Sequence, residues 1–348
     1  MERSFNHPVG FRLAVLNPGG RDLEQYFDEG ATVSERVHPP VNFHAFAACT
    51  RGAFHRDVKT AIAEKLPILL LLRGDFKASL RALSDCQKQK RIVAVSLKET
   101  GLYQIAQQLL EREKIARFLE IVAQADGCVA TTPEAADIYR QARPKRDSST
   151  VAFIPTPYPL EARQWDYSIK PDKQSGIFIG TREWDVPSRN HFATLLVARQ
   201  LCETTGEAVT AFNLDGRMGR NSSVVLNFPA GKLRLVEKKK SYSDYLHEMA
   251  KHKIVLQLDR SRVPGQVAGD ALLCRTICVG GDSAIERIAF PKTCGAGRTI
   301  EEVSAVAREL LTNTSARGTV FMESQWRSME RLSFEAVRKQ LALFFGQL

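Results

Sequence analysis

The stretch PILLLLRGDFKASLRALSDCQKQKRIVAVS, residues 67–96, decides the fold class. It begins with an apolar run of strand length at 67–72 and continues through a polar turn into a helical pattern at 77–90. A second apolar run follows at 92–96. Short, continuous apolar runs of this kind suit parallel strands that are buried on both faces. The segment therefore predicts a parallel sheet with helices packed against it.

The same alternation extends through the first half of the chain. Further strands are predicted at 11–16, 41–47, 127–130 and 151–154. Helices are predicted at 55–66, 102–125 and 133–141, the last with Thr132 as N-cap and Pro133 at the first helical position. Repeated strand–helix units of this kind indicate a doubly wound sheet.

A second α/β series follows residue 175. Its predicted strands are 176–179, 209–214, 233–236, 254–258 and 276–279, and its predicted helices are 190–203, 242–251, 266–274, 300–311 and 334–345. We expect an α/β fold with two Rossmann-like domains whose parallel sheets face a cleft, because the carboxyl ends of such strands are where ligands bind.

Three prolines mark the junction between the two series. Pro155, Pro157 and Pro159 alternate with other residues, which favours a stiff, extended linker. A chain of 348 residues also exceeds the usual size of one domain. We therefore predict a first domain at 1–157, a second at 158–330, and a C-terminal helix within 331–348 that packs back on the first domain.

The net charge indicates what kind of partner the protein binds, and the cysteine content indicates the cellular compartment in which it works. A formal net charge of +10 favours an anionic partner, and charge alone does not choose among nucleic acid, a membrane surface and phosphorylated small molecules. Seven cysteines at irregular spacing do not form a disulfide pattern, and no apolar stretch approaches the roughly 18 residues of a membrane span. We expect a cytoplasmic protein, with peripheral contact at the inner face of a membrane as an additional option.

One candidate phosphate site follows the predicted strand at 176–179. Gly180, Thr181 and Arg182 come directly after this strand, and Arg189 precedes the next helix. A small-residue turn between strand and helix lets backbone amides approach a phosphate, and arginines supply charge-assisted bonds to its oxygens. The alternative is an ordinary turn with surface arginines.

A second candidate site lies between the strand at 254–258 and the following helix. Pro264 and Gly265 predict the turn, and Arg260, Gln266 and Asp270 surround it. A helix N-terminus attracts anions, and a carboxylate close to it can accept hydrogen bonds from sugar hydroxyls. Asp270 is therefore a candidate acceptor for a sugar or ribose hydroxyl, with a helix-dipole aspartate as the alternative.

The stretch VPGQVAGDALLCRTICVGG, residues 263–281, resembles the donor-binding half of group-one glycosyltransferases, which have the GT-B architecture. Gly180, Arg182 and Arg189 are similar in position to the residues with which that family holds the donor diphosphate. Asp215 is similar to its Asp-Gly turn. The family's pair of glutamates spaced by seven residues is missing here, since Asp270 has no such partner.

This resemblance implies a glycosyltransferase that moves a sugar from a nucleotide-sugar donor to a glycan, lipid-linked or protein acceptor in polysaccharide biosynthesis. No cofactor is implied, and no metal is expected, because the chain has no Asp-x-Asp motif. An inverting reaction would need a base from the first domain. Asp75 and Glu99 are the best-placed carboxylates, with helix capping as their alternative role. Gly19 and Gly20 either approach a substrate or simply form a turn.

Two other functions remain open from the sequence. A sugar-nucleotide epimerase of the same fold would need acid and base groups on both sides of the sugar. A non-catalytic protein that binds anionic glycan or nucleic acid is the other, although nucleic acid is not expected because few aromatic residues accompany the basic ones.

Overall fold

The computed structural model describes residues 10–30, 39–143, 149–180, 184, 186–213, 227–238 and 240–348. Two sheets account for its strands. The first has seven strands in the order β2-β3-β1-β4-β5-β6-β7, and the second has five in the order β10-β9-β8-β11-β12. All pairings are parallel except that of β2 with β3. The predicted α/β class with two Rossmann-like, parallel-stranded domains is confirmed.

Most elements of the first domain follow the predicted alternation, but the strands at 25–26 and 53–55 were not predicted. Its strands are β1 (Ala14–Leu16), β2 (Gln25–Tyr26), β3 (Ala53–His55), β4 (Ile68–Leu72), β5 (Val93–Leu97), β6 (Gly127–Ala130) and β7 (Val151–Phe153). Its helices are α1 (Asn42–Cys49), α2 (Val58–Ala63), α3 (Lys77–Lys88), α4 (Leu102–Gln108), α5 (Arg112–Gln124) and α6 (Pro133–Ala142).

The second domain and the C-terminal region contain the remaining elements. The strands are β8 (Ile177–Ile179), β9 (Val209–Phe212), β10 (Leu233–Val236), β11 (Ile254–Leu256) and β12 (Ile277–Val279). The helices are α7 (His191–Thr205), α8 (Tyr242–Ala250), α9 (Gln266–Leu273), α10 (Ala284–Ala289), α11 (Ile300–Thr312), α12 (Thr314–Leu332) and α13 (Phe334–Phe345). In the described part of the chain, no helix combines the length and the apolar character that crossing a membrane requires.

Strand β4 shows why the apolar runs are continuous. Ile68, Leu70 and Leu72 pack against the cluster that contains residues of α3, α5 and α6. Leu69 and Leu71 point to the opposite face, where they pack with residues of α1 and α13. Because successive side chains of a strand alternate between faces, a sheet covered on both sides needs apolar residues at every position.

Two sequence predictions were wrong in the first domain. The run at 41–47 is the helix α1, not a strand. It is buried on nearly all sides and therefore lacks the polar periodicity that distinguishes a helix from a strand. The predicted helix at 102–125 is two helices, since α4 ends at Gln108 and α5 begins at Arg112. The break lets α4 reach the second domain while Phe118, Ile121 and Val122 of α5 stay in the core.

The chain passes between the two domains at two neighbouring places. Tyr158, in the proline-rich linker, donates its backbone N–H to the carbonyl oxygen of Leu332 at 2.8 Å. Ser333 forms a bridge with Tyr158 and accepts the N–H of Ala336 as the N-cap of α13. Helix α13 then packs on the first domain, with Val337, Leu341, Phe344 and Phe345 in its core.

The packing of α13 predicts that this helix contributes to the stability of the first domain. Leu341→Ala removes a fully buried side chain and should lower the free energy of unfolding by about 2–5 kcal/mol, through lost burial and a residual cavity. Leu343→Ala, on the same helix but 59% exposed, is the matched control and should change stability by less than about 0.5 kcal/mol. Urea denaturation measures both. Equal effects would contradict the packing of α13 on the first domain.

Candidate functional site

A cleft of about 380 Å³ lies where the carboxyl ends of the two sheets meet. From the first domain it is lined by Lys98, Glu99, Thr100, Thr131 and Thr156, which follow β5, β6 and β7. From the second domain it is lined by Gly180, Arg189, Gln257, Asp259 and Ser283, which follow β8, β11 and β12. In the second sheet β8 and β11 are adjacent, and the strand order reverses between them. The cleft is therefore at the switch point where open α/β sheets bind ligands.

Two aromatic side chains leave no room for a side chain at Gly180. A Cβ at this position would overlap the Phe178 ring and the Tyr245 hydroxyl. Tyr245 itself lines the cleft. The backbone after β8 thus runs close to Phe178 and Tyr245. The predicted approach of this turn to a phosphate stays a prediction.

Arg189 is positioned by bonds between the turn that precedes α7 and the loop that follows β11. The Asn190 side-chain amide donates to the carbonyl oxygen of Leu258 at 2.9 Å, and the hydroxyls of Ser188 and Ser261 are 2.7 Å apart. The guanidinium of Arg189 forms an ion pair with the buried Asp259 carboxylate. Asp259 also accepts the backbone N–H of Ser261 at 2.7 Å. The second domain therefore presents a cation that a carboxylate fixes in the cleft.

The turn at Pro264 and Gly265 brings the start of α9 into the cleft. Gly265 has a positive φ of 105°. A Cβ there would overlap the Ser283 side chain. The backbone N–H of Ile285 donates to the carbonyl oxygen of Pro264 at 3.1 Å, which fastens this turn to α10. Gly265, Gln266 and Asp270 all line the cleft, as the predicted helix N-terminus requires.

Asp270 is almost fully buried, with 1% of its surface exposed, yet it contributes to the cleft lining. Its Oδ1 accepts a hydrogen bond from the Tyr242 hydroxyl. Burial, followed by the charge of Asp270, raises the pKa of the Tyr242 phenol well above its usual value. The phenol therefore remains a donor across the working pH range.

The first domain contributes one acidic and one basic side chain to its side of the cleft. Glu99 lines the cleft and accepts a hydrogen bond from the Gln104 amide at 3.3 Å. Lys98 also lines the cleft and forms an ion pair with Asp22, which accepts the Asn17 side-chain amide at 2.7 Å. Lys98 was not among the site residues predicted from the sequence. The rule that polar residues directly after a strand reach the cleft would have found it, because Lys98 immediately follows β5.

The two domains touch at the rim of the cleft. The backbone N–H of Leu102 donates to the carbonyl oxygen of Ser261 at 3.1 Å. Arg287 donates to Glu134 of the first domain at 2.6 Å and to Asp282 at 2.5 Å. These contacts join the two domains directly.

Four predicted site residues lie elsewhere. Asp75 does not line the cleft, because its carboxylate accepts the backbone N–H of Lys77 at 3.1 Å in the first turn of α3, and this bond lowers its pKa. Gly19 and Gly20 form a turn in which the N–H of Gly20 donates to the carbonyl oxygen of Asn17 at 3.0 Å. The Arg260 guanidinium points to the carbonyl oxygens of Gly295 and Arg298, so it fastens a loop.

Two further predicted residues, Arg182 and Asp215, lie outside the residues that the structure describes. Their predicted roles stay predictions. The structure brings together Glu99, Gly180, Arg189, Gly265, Gln266 and Asp270 around one cleft.

Two Rossmann-like domains that face one cleft define the GT-B architecture, and solved structures show the same fold. HepE from Anabaena, in complex with UDP, is similar with a TM-score of 0.65 and 11% identity, covering 97% of this chain and 100% of that chain. The α,α-trehalose 6-phosphate synthase from Burkholderia multivorans is similar with a TM-score of 0.64 and 8% identity, covering 97% and 96%.

A third similar structure belongs to another class of enzyme. It is a protein from Listeria monocytogenes assigned as a UDP-N-acetylglucosamine 2-epimerase, with a TM-score of 0.50 and 13% identity, covering 82% of this chain and 74% of that chain. No protein-family model and no curated protein matches the chain. At these identities the similarity establishes the fold.

The close packing around Gly269 of α9 predicts that adding a single methyl group there lowers the stability of the protein. A Cβ at Gly269 would overlap the ring of Tyr158, which is itself fully buried. Gly269→Ala should therefore lower the free energy of unfolding by about 1–3 kcal/mol, the usual cost of overpacking. Gly318→Ala is the matched control, since Gly318 lies inside α12 with open space around it and should gain about 0.5–1 kcal/mol. Thermal unfolding distinguishes the two. A neutral Gly269→Ala variant would contradict the packing of Tyr158 under α9.

Proposed function

We propose that this protein is a metal-independent glycosyltransferase that uses a nucleotide sugar as donor and takes a glycan, a lipid-linked sugar or a protein as acceptor. The observation that carries the proposal is the convergence of Gly180, Arg189, Gln266 and Asp270 on the second-domain side of one cleft. These residues come from three separate segments, and together they offer a cation, a helix N-terminus and a carboxylate to one ligand.

The diphosphate is assigned to Arg189 and the N-terminus of α9. Negative charge grows on the diphosphate as its bond to the sugar breaks, so a fixed cation and backbone amides stabilise the transition state. A guanidinium can serve a carboxylate and a phosphate oxygen at the same time because it has five N–H donors. Asp259 therefore orients Arg189 for this role. Arg182 is proposed as a second cation from the resemblance to group-one enzymes.

Asp270 is assigned to hydroxyl groups of the ribose. A carboxylate accepts hydrogen bonds at both oxygens, and Asp270 lies on α9 within the same cleft as Arg189. Gly180 and Gly265 keep the backbone close to the ligand.

Glu99 is assigned to the acceptor. Within the described residues, it is the carboxylate that the first domain contributes to the cleft lining. In an inverting reaction it would take the proton of the acceptor hydroxyl as that oxygen attacks the sugar.

The similar structures support this assignment. HepE was solved in complex with UDP, and the Burkholderia protein is a trehalose 6-phosphate synthase. The epimerase-like structure supports a second candidate, because carboxylates face this cleft from both domains at Glu99 and Asp270. An epimerase would convert a nucleotide sugar in the absence of any acceptor, whereas a transferase would need one. Binding of DNA that falls steeply with salt, without nucleotide binding, would indicate a binding protein instead.

Donor binding is tested by thermal shift and calorimetry with UDP, GDP, CMP and dTDP sugars. A ligand at 100 times its Kd should stabilise the protein by about 2.7 kcal/mol. Arg189→Ala should weaken binding roughly ten- to hundredfold, because a charge-assisted bond contributes about 1.5–3 kcal/mol.

Arg140→Ala is the matched control for this test. Arg140 forms an exposed ion pair with Asp137 on α6 and does not line the cleft, so its loss should leave nucleotide affinity unchanged. Absence of any nucleotide response in the unmodified protein would refute the proposed function.

We further propose that the protein works in the cytoplasm and touches an acidic membrane surface at its inner face. Three large apolar side chains, Met322, Trp326 and Met329, are exposed at helical spacing on one face of α12. Arg327 and Arg331 accompany them, and the whole chain has a net charge of +10. Exposed Trp with nearby arginines suits the boundary between lipid headgroups and acyl chains.

Vesicle sedimentation tests this contact. The protein should bind vesicles rich in phosphatidylglycerol more tightly than pure phosphatidylcholine vesicles, and the difference should shrink at high salt. Trp326→Ser should reduce the binding, whereas Leu110→Ser, which changes an even more exposed apolar residue of the first domain, should not. Binding that depends on Leu110 and not on Trp326 would show that this face is the wrong one.

A further inference from the structure

A chain of hydrogen bonds runs from the linker between the domains to Asp270. The hydroxyl of Tyr158, in the linker, donates to the carbonyl oxygen of Gln266 at 3.3 Å. The side-chain amide of Gln266 donates to the hydroxyl of Tyr242 at 3.3 Å, and this hydroxyl donates to Oδ1 of Asp270. Tyr242 and Gln266 are the first residues of α8 and α9, and Asp270 lies four residues further along α9.

Packing holds this chain in one geometry. Tyr158 is fully buried, and its ring lies against Gly269, one residue before Asp270. The ring of Tyr242 stacks on Tyr245 at 5.9 Å between centroids, and Tyr245 lines the cleft. The Tyr242 hydroxyl therefore accepts from one neighbour and donates to another with little freedom to turn. Such a fully bonded polar network orients its members more firmly than isolated bonds do.

The consequence concerns the orientation of the Asp270 carboxylate. A carboxylate has two oxygens and about four acceptor positions. A donor fixed on Oδ1 sets the plane of the group, and with it the directions of all its acceptor positions. For a carboxylate that lines a cleft, a fixed plane lowers the ordering cost of binding a ligand hydroxyl.

We propose that Tyr242 is a positioning residue that makes Asp270 selective for a nucleotide with ribose hydroxyls. The inference rests on the proposed function, since it takes a nucleoside diphosphate as the ligand. Tyr242 acts through Asp270 and not through the ligand. The loss of the Tyr242 hydroxyl should therefore lower the affinity only for ligands whose hydroxyl groups bind to Asp270.

This dependence on the ligand provides the test. Calorimetry compares UDP with 2′,3′-dideoxy-UDP on the unmodified protein and on Tyr242→Phe. The unmodified protein should bind UDP at least tenfold more tightly than the dideoxy analogue. Tyr242→Phe should weaken UDP binding several-fold and leave the affinity for the analogue unchanged within twofold. Weakening of both ligands by the same factor would show a general structural role and overturn the proposal.

Two other variants complete the design. Tyr167→Phe is the matched control, because Tyr167 is a buried tyrosine that contacts His247 of α8 without lining the cleft, and it should not alter the preference for UDP. Asp270→Asn should abolish the preference, and adding Tyr242→Phe to it should cause no further loss. A further loss in the double variant would mean that Tyr242 acts independently of Asp270.

The same experiment separates this inference from the function on which it rests. If the unmodified protein binds none of the UDP, GDP, CMP and dTDP sugars of the donor test, the proposed function fails. If it binds UDP and the dideoxy analogue equally well, nucleotide binding stands and the role of Tyr242 and Asp270 in reading the ribose is refuted.

Discussion

Burial of the parallel strands on both faces is the constraint on which the molecule depends. Strand β4 has leucine or isoleucine at every position, with each face covered by helices. A polar side chain within such a strand costs free energy unless it finds a buried hydrogen-bond partner, as Thr210 of β9 does in His252. Polar groups therefore follow the strands, and the parallel direction collects them at a single edge. The cleft lies there because two such edges face each other.

The same constraint explains what could be read from the sequence. Continuous apolar runs located β4, β5, β6 and β8 to within a residue or two. The rule that function follows a strand selected Glu99 and Gly180, whereas Arg189 was selected because it precedes a helix. The rule failed for Asp75 and Arg260, which also follow strands. Whether a side chain turns toward the cleft depends on its nearest partners. Asp75 caps α3, and Arg260 meets the carbonyl oxygens of Gly295 and Arg298.

Contacts between distant segments were beyond the reach of the sequence. The pairs Arg189–Asp259 and Tyr242–Asp270 join residues that are 70 and 28 positions apart. The sequence around each of these residues gives no indication of the residue with which it pairs. Helix α1 was mistaken for a strand for a related reason, since tertiary packing buries nearly all of its sides and erases the periodicity by which helices are recognised.

The double passage between the domains restricts how the molecule can move. The linker at Tyr158 and the chain at Leu332 are joined by a backbone hydrogen bond, so the two connections lie side by side. Two adjacent connections form a hinge between the domains. They allow the domains to rotate about one axis and resist rotation about the perpendicular axis. A ligand bound between the two domains would therefore contact the same residues of both domains each time they close around it.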